Sequence, residues 1–268
     1  MKLIDTHCHL TDARLRGRLG SVLRQAGEAN LSAIITAGVT LPDSAAAAIL
    51  ARRYDVVFCT AGIHPHEAKG VPDDYLRDLE ELARGGRNVA IGEIGLDYYR
   101  DLSPRQIQRR VFAEQLALAI SLGKIAVVHA RQAFDDTLAV LAEAGIDGPA
   151  VVFHSFTGSP DEARRALDLG AAIGFSGIIT FKHNAELRES AALVPDDRLL
   201  IETDAPYLSP EPVRKIKVNE PANVVHVAAC LAEVRGTSIE RIAELTTANA
   251  VRLFGLDAAA TAAPPHLG

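Results

Sequence analysis

Leu3-Ile4-Asp5-Thr6-His7-Cys8-His9 runs from two apolar residues into polar side chains at alternate positions. In an extended strand, residues two apart share a face, so Asp5, His7 and His9 are expected to point one way and Cys8 the other. Two neutral imidazoles on one face make a clamp for zinc, iron, nickel or manganese. An isolated His-x-His pair fits a solvent-facing strand end about equally well. What separates the two readings is whether later strands also finish in ligand-type residues.

Working outward, short apolar runs rich in β-branched residues recur at 3–7, 33–37, 56–62, 89–93, 125–129, 150–154, 171–175 and 199–204. Between them, 18–29, 43–53, 73–84, 106–122, 134–144, 160–169 and 185–193 carry apolar residues at helical spacing. Helices over 221–234 and 239–254 close the pattern. Ser103-Pro104 and Ser159-Pro160 read as capping hydroxyls followed by a first-turn proline, and Gly123 and Gly170 as helix stops. Eight strands alternating with helices predict an α/β fold of the (β/α)8 TIM-barrel class, a single domain over 1–256. A doubly wound open sheet is the alternative. Residues 257–268, with Pro264-Pro265 and a functionless His266, read as a loose tail.

The 268 residues are 48% hydrophobic and 23% charged, enough apolar content for a sizeable core. There is no apolar run of about eighteen residues and no signal-peptide core, so the sequence predicts a cytoplasmic protein without membrane association. Cys8, Cys59 and Cys230 are odd in number and widely spread, which argues for reduced thiols. A net charge of −6 argues against the broad basic surface of a duplex-DNA binder. It leaves room for a nuclease that takes a strand end into a metal-containing cleft, because the metals neutralise phosphate.

The strand ends decide the first question. The first run ends in His7 and His9, the fourth in Glu93, the fifth in His129, the sixth in His154 and the eighth in Asp204. In a barrel these rise to the rim at the C-terminal ends of the strands, where barrel enzymes carry their active sites. Glu93 sits within Ile91-Gly92-Glu93-Ile94-Gly95, where a carboxylate needs a cationic partner. Six donors exceed one tetrahedral ion, whereas two divalent ions about 3.5–4 Å apart, bridged by a carboxylate, use all six. Magnesium, manganese, zinc and iron all suit such a donor set. The third run ends in Gly62-Ile63-His64-Pro65-His66; His64 reads as a phosphate contact or a support to the ligands, and His66 as a turn residue.

These motifs in this order resemble the TatD family of metal-dependent deoxyribonucleases, within the amidohydrolase-like barrels. The matching stretches are Ile4-Asp5-Thr6-His7-Cys8-His9-Leu10, Gly62 to His66, Ile91 to Tyr99, and His129-Ala130-Arg131. Phe153 to Gly158, Glu202 to Leu208 and Asn219-Glu220-Pro221 continue the match, so it runs from residue 2 to about residue 256. The resemblance implies that His7, His9, Glu93 and Asp204 hold one ion and that Glu93, His129 and His154 hold the other. It also implies phosphodiester hydrolysis, most often as a 3′-to-5′ DNA exonuclease, with single-stranded DNA or 3′ ends as partner. The chain departs from the family pattern in two places. Lys215-Ile216-Lys217-Val218 replaces a basic, glycine-containing run, and Gln132 stands where the family carries an acid.

The expected chemistry is attack on phosphorus by a hydroxide drawn from metal-bound water, with Asp204 as general base and Glu93 as the catalytic bridging carboxylate. Arg131, Lys182, Arg214, Lys215 and Lys217 are candidate phosphate contacts, and Tyr98, Tyr99 and Tyr207 candidate stacking partners. Two alternatives share the scaffold: an acyl or amide hydrolase, such as a deacylase on a nucleotide- or tRNA-linked substrate, and a scaffold subunit of a larger assembly.

Overall fold

The computed structural model describes residues 1–256, so the expected tail and His266 lie outside the described residues. Eight parallel strands pair in sequence order: β1 (Leu3–Cys8), β2 (Leu31–Thr36), β3 (Val57–Ala61), β4 (Asn88–Asp97), β5 (Ile125–Arg131), β6 (Val151–Phe153), β7 (Ala172–Phe175) and β8 (Leu199–Ile201). The ring is drawn together beyond β8. The Asp204 amide donates to the His7 carbonyl at 2.9 Å and the His9 amide to the Ala205 carbonyl at 2.7 Å. A parallel bridge joins Cys8 to Ala205. The result is a nearly closed (β/α)8 barrel.

The strands are covered on both faces, which is why they read as apolar runs rather than as a clean alternation. Inside, Ile4, Ile35, Phe58, Ala90, Val127, Val152, Ala172 and Leu200 form a core together with Phe254 and Leu256 at the chain's last described turn. The larger core lies between the strands and the helices around them. These helices are α1 (Ala13–Arg16), α2 (Leu19–Glu28), α3 (Leu41–Arg53), α4 (Tyr75–Ala83), α5 (Arg105–Leu122), α6 (Phe134–Ala144), α7 (Pro160–Leu169), α8 (Ala185–Leu193), α9 (Val224–Arg235) and α10 (Ile239–Phe254). No helix among the described residues is long and apolar enough to cross a membrane.

The expected punctuation holds in three places and fails in one. Ser159 and Glu162 form a reciprocal capping box on α7, and Gly123 and Gly170 end α5 and α7 in the left-handed region, at φ 61° and 103°. Ser103 does not cap α5, whose N-cap is Pro104. Its buried hydroxyl instead accepts from the Lys69 amide and donates to the His66 carbonyl, tying the turn after β3 to the start of α5.

Strand limits also differ from expectation. β4 runs four residues past Glu93, to Asp97, whereas β6 and β8 keep only three residues each. His154 and Asp204 therefore stand just beyond their strands. β1 loses regular register between Asp5 and Cys8, and alternation does not carry Asp5 to the same place as His7 and His9. Asp5 turns to Thr203, accepting from its amide at 2.9 Å and its hydroxyl at 2.6 Å.

Candidate metal centre

Glu93, 3% exposed, is the hub of the rim. Its Oε2 lies 3.3 Å from His7 Nε2 and 3.8 Å from His9 Nε2. Its Oε1 lies 2.8 Å from His154 Nε2, 2.9 Å from His129 Nδ1 and 3.2 Å from His64 Nε2. Asp204 Oδ1 extends the first group, 3.3 Å from His9 Nε2. One carboxylate thus turns each of its oxygens to a different set of imidazoles.

The donors fall into compact sets, His7–His9–Asp204, His7–Glu93–His154 and His64–Glu93–His129, each with its ligand atoms within 4.8 Å of one another. All six residues expected as ligands are brought together. His64, expected on substrate or behind the ligands, stands against Glu93 as closely as His7 does.

Two observations test whether divalent cations fit. His7 Nε2 is buried and has no hydrogen-bond partner among the described residues, although it approaches Glu93 at 3.3 Å. A buried polar atom with no partner is costly, and a cation between it and the carboxylate removes that cost. The charge balance agrees. Burial alone would raise Glu93, but the imidazoles, His154 and His64 foremost, hold its carboxyl well below the usual range. Burial opposes protonation of His154, yet Glu93 and Glu202 push it well above an ordinary histidine. His9 and His129 are likewise raised against burial, by Asp204 and Glu93 in the first case and Asp97 and Glu93 in the second. Burial lowers His7, and His64 falls to about 4 for the same reason. Asp204 is lowered, burial being overcome by His9. The raised imidazoles and lowered carboxylates thus lean on one another for charge balance, a task that divalent ions held there would take over.

The backbone aims these side chains. Gln132, Ser155 and Asp204, at or just past the ends of β5, β6 and β8, have φ of 52°, 42° and 55°. Such left-handed residues turn the chain sharply out of the sheet. Behind the donors stand two carboxylates that the sequence reading passed over. Asp97 Oδ2 takes His129 Nε2 at 3.0 Å and His66 Nε2 at 2.9 Å, while its Oδ1 accepts the amides of Tyr99 and Arg100. His66 is therefore anchored to the network and is more than a turn residue. Glu202, 1% exposed, accepts the Ser155 amide and brings Oε1 to 3.3 Å from His154 Nδ1. The signal for Asp97 was available: Glu93, Gly95 and Asp97 share one face if the strand continues.

His9, Glu93, His129, His154 and Asp204 floor a cleft of about 680 Å³ whose lining also includes Asp12, His64, His66, Arg131 and Tyr207. Arg131 is brought to it; Lys182 is exposed and is not among its lining residues. The Arg214 guanidinium lies 3.5 Å over the Phe181 ring, and Lys215 and Lys217 are exposed on the same loop. Tyr98 gives its hydroxyl to Asp136 at 2.6 Å, on α6.

Comparison with known proteins agrees with this geometry. The chain is 37% identical to the uncharacterized metal-dependent hydrolase YabD of Bacillus subtilis, over 95% of this chain and 100% of that protein. It is also 37% identical to the 3′-5′ ssDNA/RNA exonuclease TatD of Klebsiella pneumoniae, over 95% of this chain and 98% of that one. The crystal structure of YjjV, a TatD homologue from Escherichia coli, superposes with a TM-score of 0.90 at 30% identity, covering 95% of this chain and 98% of the other. The sequence model of the family described as TatD related DNase matches residues 4–255, the whole barrel and every donor in it. The chain belongs to that family and is a metal-dependent hydrolase.

Proposed function

We propose that this protein removes nucleotides from the 3′ end of single-stranded DNA by hydrolysing the terminal phosphodiester. The observation that carries the reading is the divided carboxylate of Glu93, with His7 and His9 at one oxygen and His64, His129 and His154 at the other. His7, His9, Glu93 and Asp204 would hold one divalent ion, and Glu93, His129 and His154 the second. The closeness of His64 to Glu93 Oε1 favours a place in the second donor set over a contact to substrate. Such ions supply charge to the phosphoryl oxygens and acidify a water. The name of the Klebsiella relative, an exonuclease on single-stranded DNA and RNA, supports the substrate class.

Asp204 accepts the proton of the attacking water. Its carboxylate is kept ionised beside His9, and its backbone is fixed to His7 and, through Thr203, to Asp5. Arg131 at the cleft wall binds a phosphate oxygen. The free thiols of Cys8, Cys59 and Cys230 fit the reducing cytoplasm.

The test is release of mononucleotides from a short single-stranded DNA labelled at one end, with chelated protein and after addition of Mg²⁺ or Mn²⁺. Metal should restore release from the 3′ end. Asp204→Ala should lower the rate by about 10²- to 10⁴-fold, the worth of a positioned general base. Folded, metal-loaded protein that releases nothing would refute the nuclease reading.

A further inference from the structure

Each pole of the metal centre ends in a tyrosine backed by an arginine. On the His9 side, Tyr207 lines the cleft and meets the His9 ring edge-on, with centroids 5.8 Å apart. The Arg14 guanidinium lies 4.4 Å from the centre of the Tyr207 ring. Arg14 is itself held in place: its Nε and Nη2 donate to the two carboxylate oxygens of Asp12 at 2.9 and 2.8 Å, and Asp12 caps α1. On the His129 side, the guanidinium of Arg131 lies 4.1 Å from the centre of the Tyr99 ring. The pairing of β4 with β5 sets the Arg131 backbone opposite Asp97, and the Tyr99 amide donates to Asp97 Oδ1 at 3.0 Å, so both residues stand beside the ligand support. Although each ring carries an arginine, Tyr207 is 47% and Tyr99 54% exposed.

Tyr207 lines the cleft itself, and Tyr99 stands behind the lining residue Arg131; half-open rings that carry a guanidinium are suited to a planar partner. Stacking on a pinned ring costs less side-chain entropy than stacking on a mobile one, and the guanidinium adds attraction for both a π face and a phosphate. Every nucleobase has such a face, so the recognition is tolerant of sequence.

We infer that Arg14–Tyr207 and Arg131–Tyr99 are two nucleobase platforms that take the bases on either side of the scissile phosphate. The inference rests on the nuclease reading and narrows it. Two bases must be splayed to opposite poles of Glu93, so the smallest good substrate is a single-stranded dinucleotide, and a paired end, whose bases are stacked on their neighbours, is excluded.

The experiment is rapid mixing of metal-loaded protein with a dinucleotide carrying 2-aminopurine at either its 5′ or its 3′ base. Stacking quenches the fluorophore on binding, and hydrolysis restores its emission on release, so the two phases report the platforms and the chemistry separately. Tyr207→Ala should abolish the quench for one label position and Tyr99→Ala for the other. Each should raise KM by about 5- to 150-fold, the affinity equivalent of one base stack, with kcat changed far less. Tyr207→Phe and Tyr207→Trp keep a ring and should restore the quench. A quench without recovery would sink the nuclease reading and leave the platforms standing. Turnover with quenching unchanged in both alanine variants, or no quench in the wild type, would overturn the platforms.

Discussion

Asp5 shows how much of the site is built behind the residues that face the substrate. Its carboxylate is fully buried and spans the seam between the first and last strands, accepting from Thr203 next to Asp204. Burial pushes its pKa up to about 8, against the opposing effect of the Thr203 hydrogen bonds. The folded protein therefore keeps a proton on Asp5 that the unfolded chain surrenders near pH 4. A folded state that binds the extra proton is favoured at low pH, so this group's stabilisation is complete below about pH 4 and declines as pH rises to about 8. In chelated Asp5→Asn, which is neutral at every pH, that part of the decline disappears. Urea unfolding between pH 4 and 8 should show a shallower fall in stability than in the wild type. Parallel slopes in the two proteins would mean that Asp5 is ionised in the fold.

At the scale of the element, strands and helices were legible where burial repeats and illegible where the backbone breaks its own pattern. The order of eight strands could be read because each is apolar on both faces. The ends of β6 and β8 could not, because His154 follows apolar residues directly and Glu202-Thr203 lead from Ile201 to Asp204 without a turn signal, and neither Ser155 nor Asp204 is a residue type that announces positive φ as glycine does. The donors themselves were visible because a histidine or acid closing an apolar run stands out. Their supports were not: Glu202 meets the Ser155 amide across 47 positions, a distance no local pattern spans. Ser159 is the counterexample, a cap read from Ser159-Pro160 alone, and its partner, Glu162, lies only one turn away. Ser159→Ala removes an acceptor from the first turn of α7 and should cost about 0.5–2 kcal/mol in urea unfolding. The metal affinity, set on the strands, should stay within twofold; a larger loss would mean that α7 positions His154.

For the molecule as a whole, the centre exists only when the ring is complete. His7 and His9 come from β1 and its exit, Glu93 from β4, His129 from β5, and His154 and Asp204 from just past β6 and β8. In the unfolded chain these donors are spread over nearly two hundred positions, so divalent ions bind the folded barrel far better than the coil. Linkage then requires that metal stabilise the fold, by about 2.7 kcal/mol for one site at a free concentration a hundred times its Kd. For a domain of this size each kcal/mol moves the midpoint by about 2–4 °C, so one site should raise Tm by roughly 5–11 °C. The effect should grow as pH rises, because protons compete with metal for the raised nitrogens of His9, His129 and His154. Thermal melts of chelated protein titrated with Mn²⁺ or Zn²⁺ at pH 6 and pH 8 measure this. Tm should climb with free metal, fall back on addition of chelator, and climb less at the lower pH. A Tm indifferent to Mg²⁺, Mn²⁺, Zn²⁺ and Fe²⁺ at both pH values would show that the imidazoles around Glu93 are held together by protons alone.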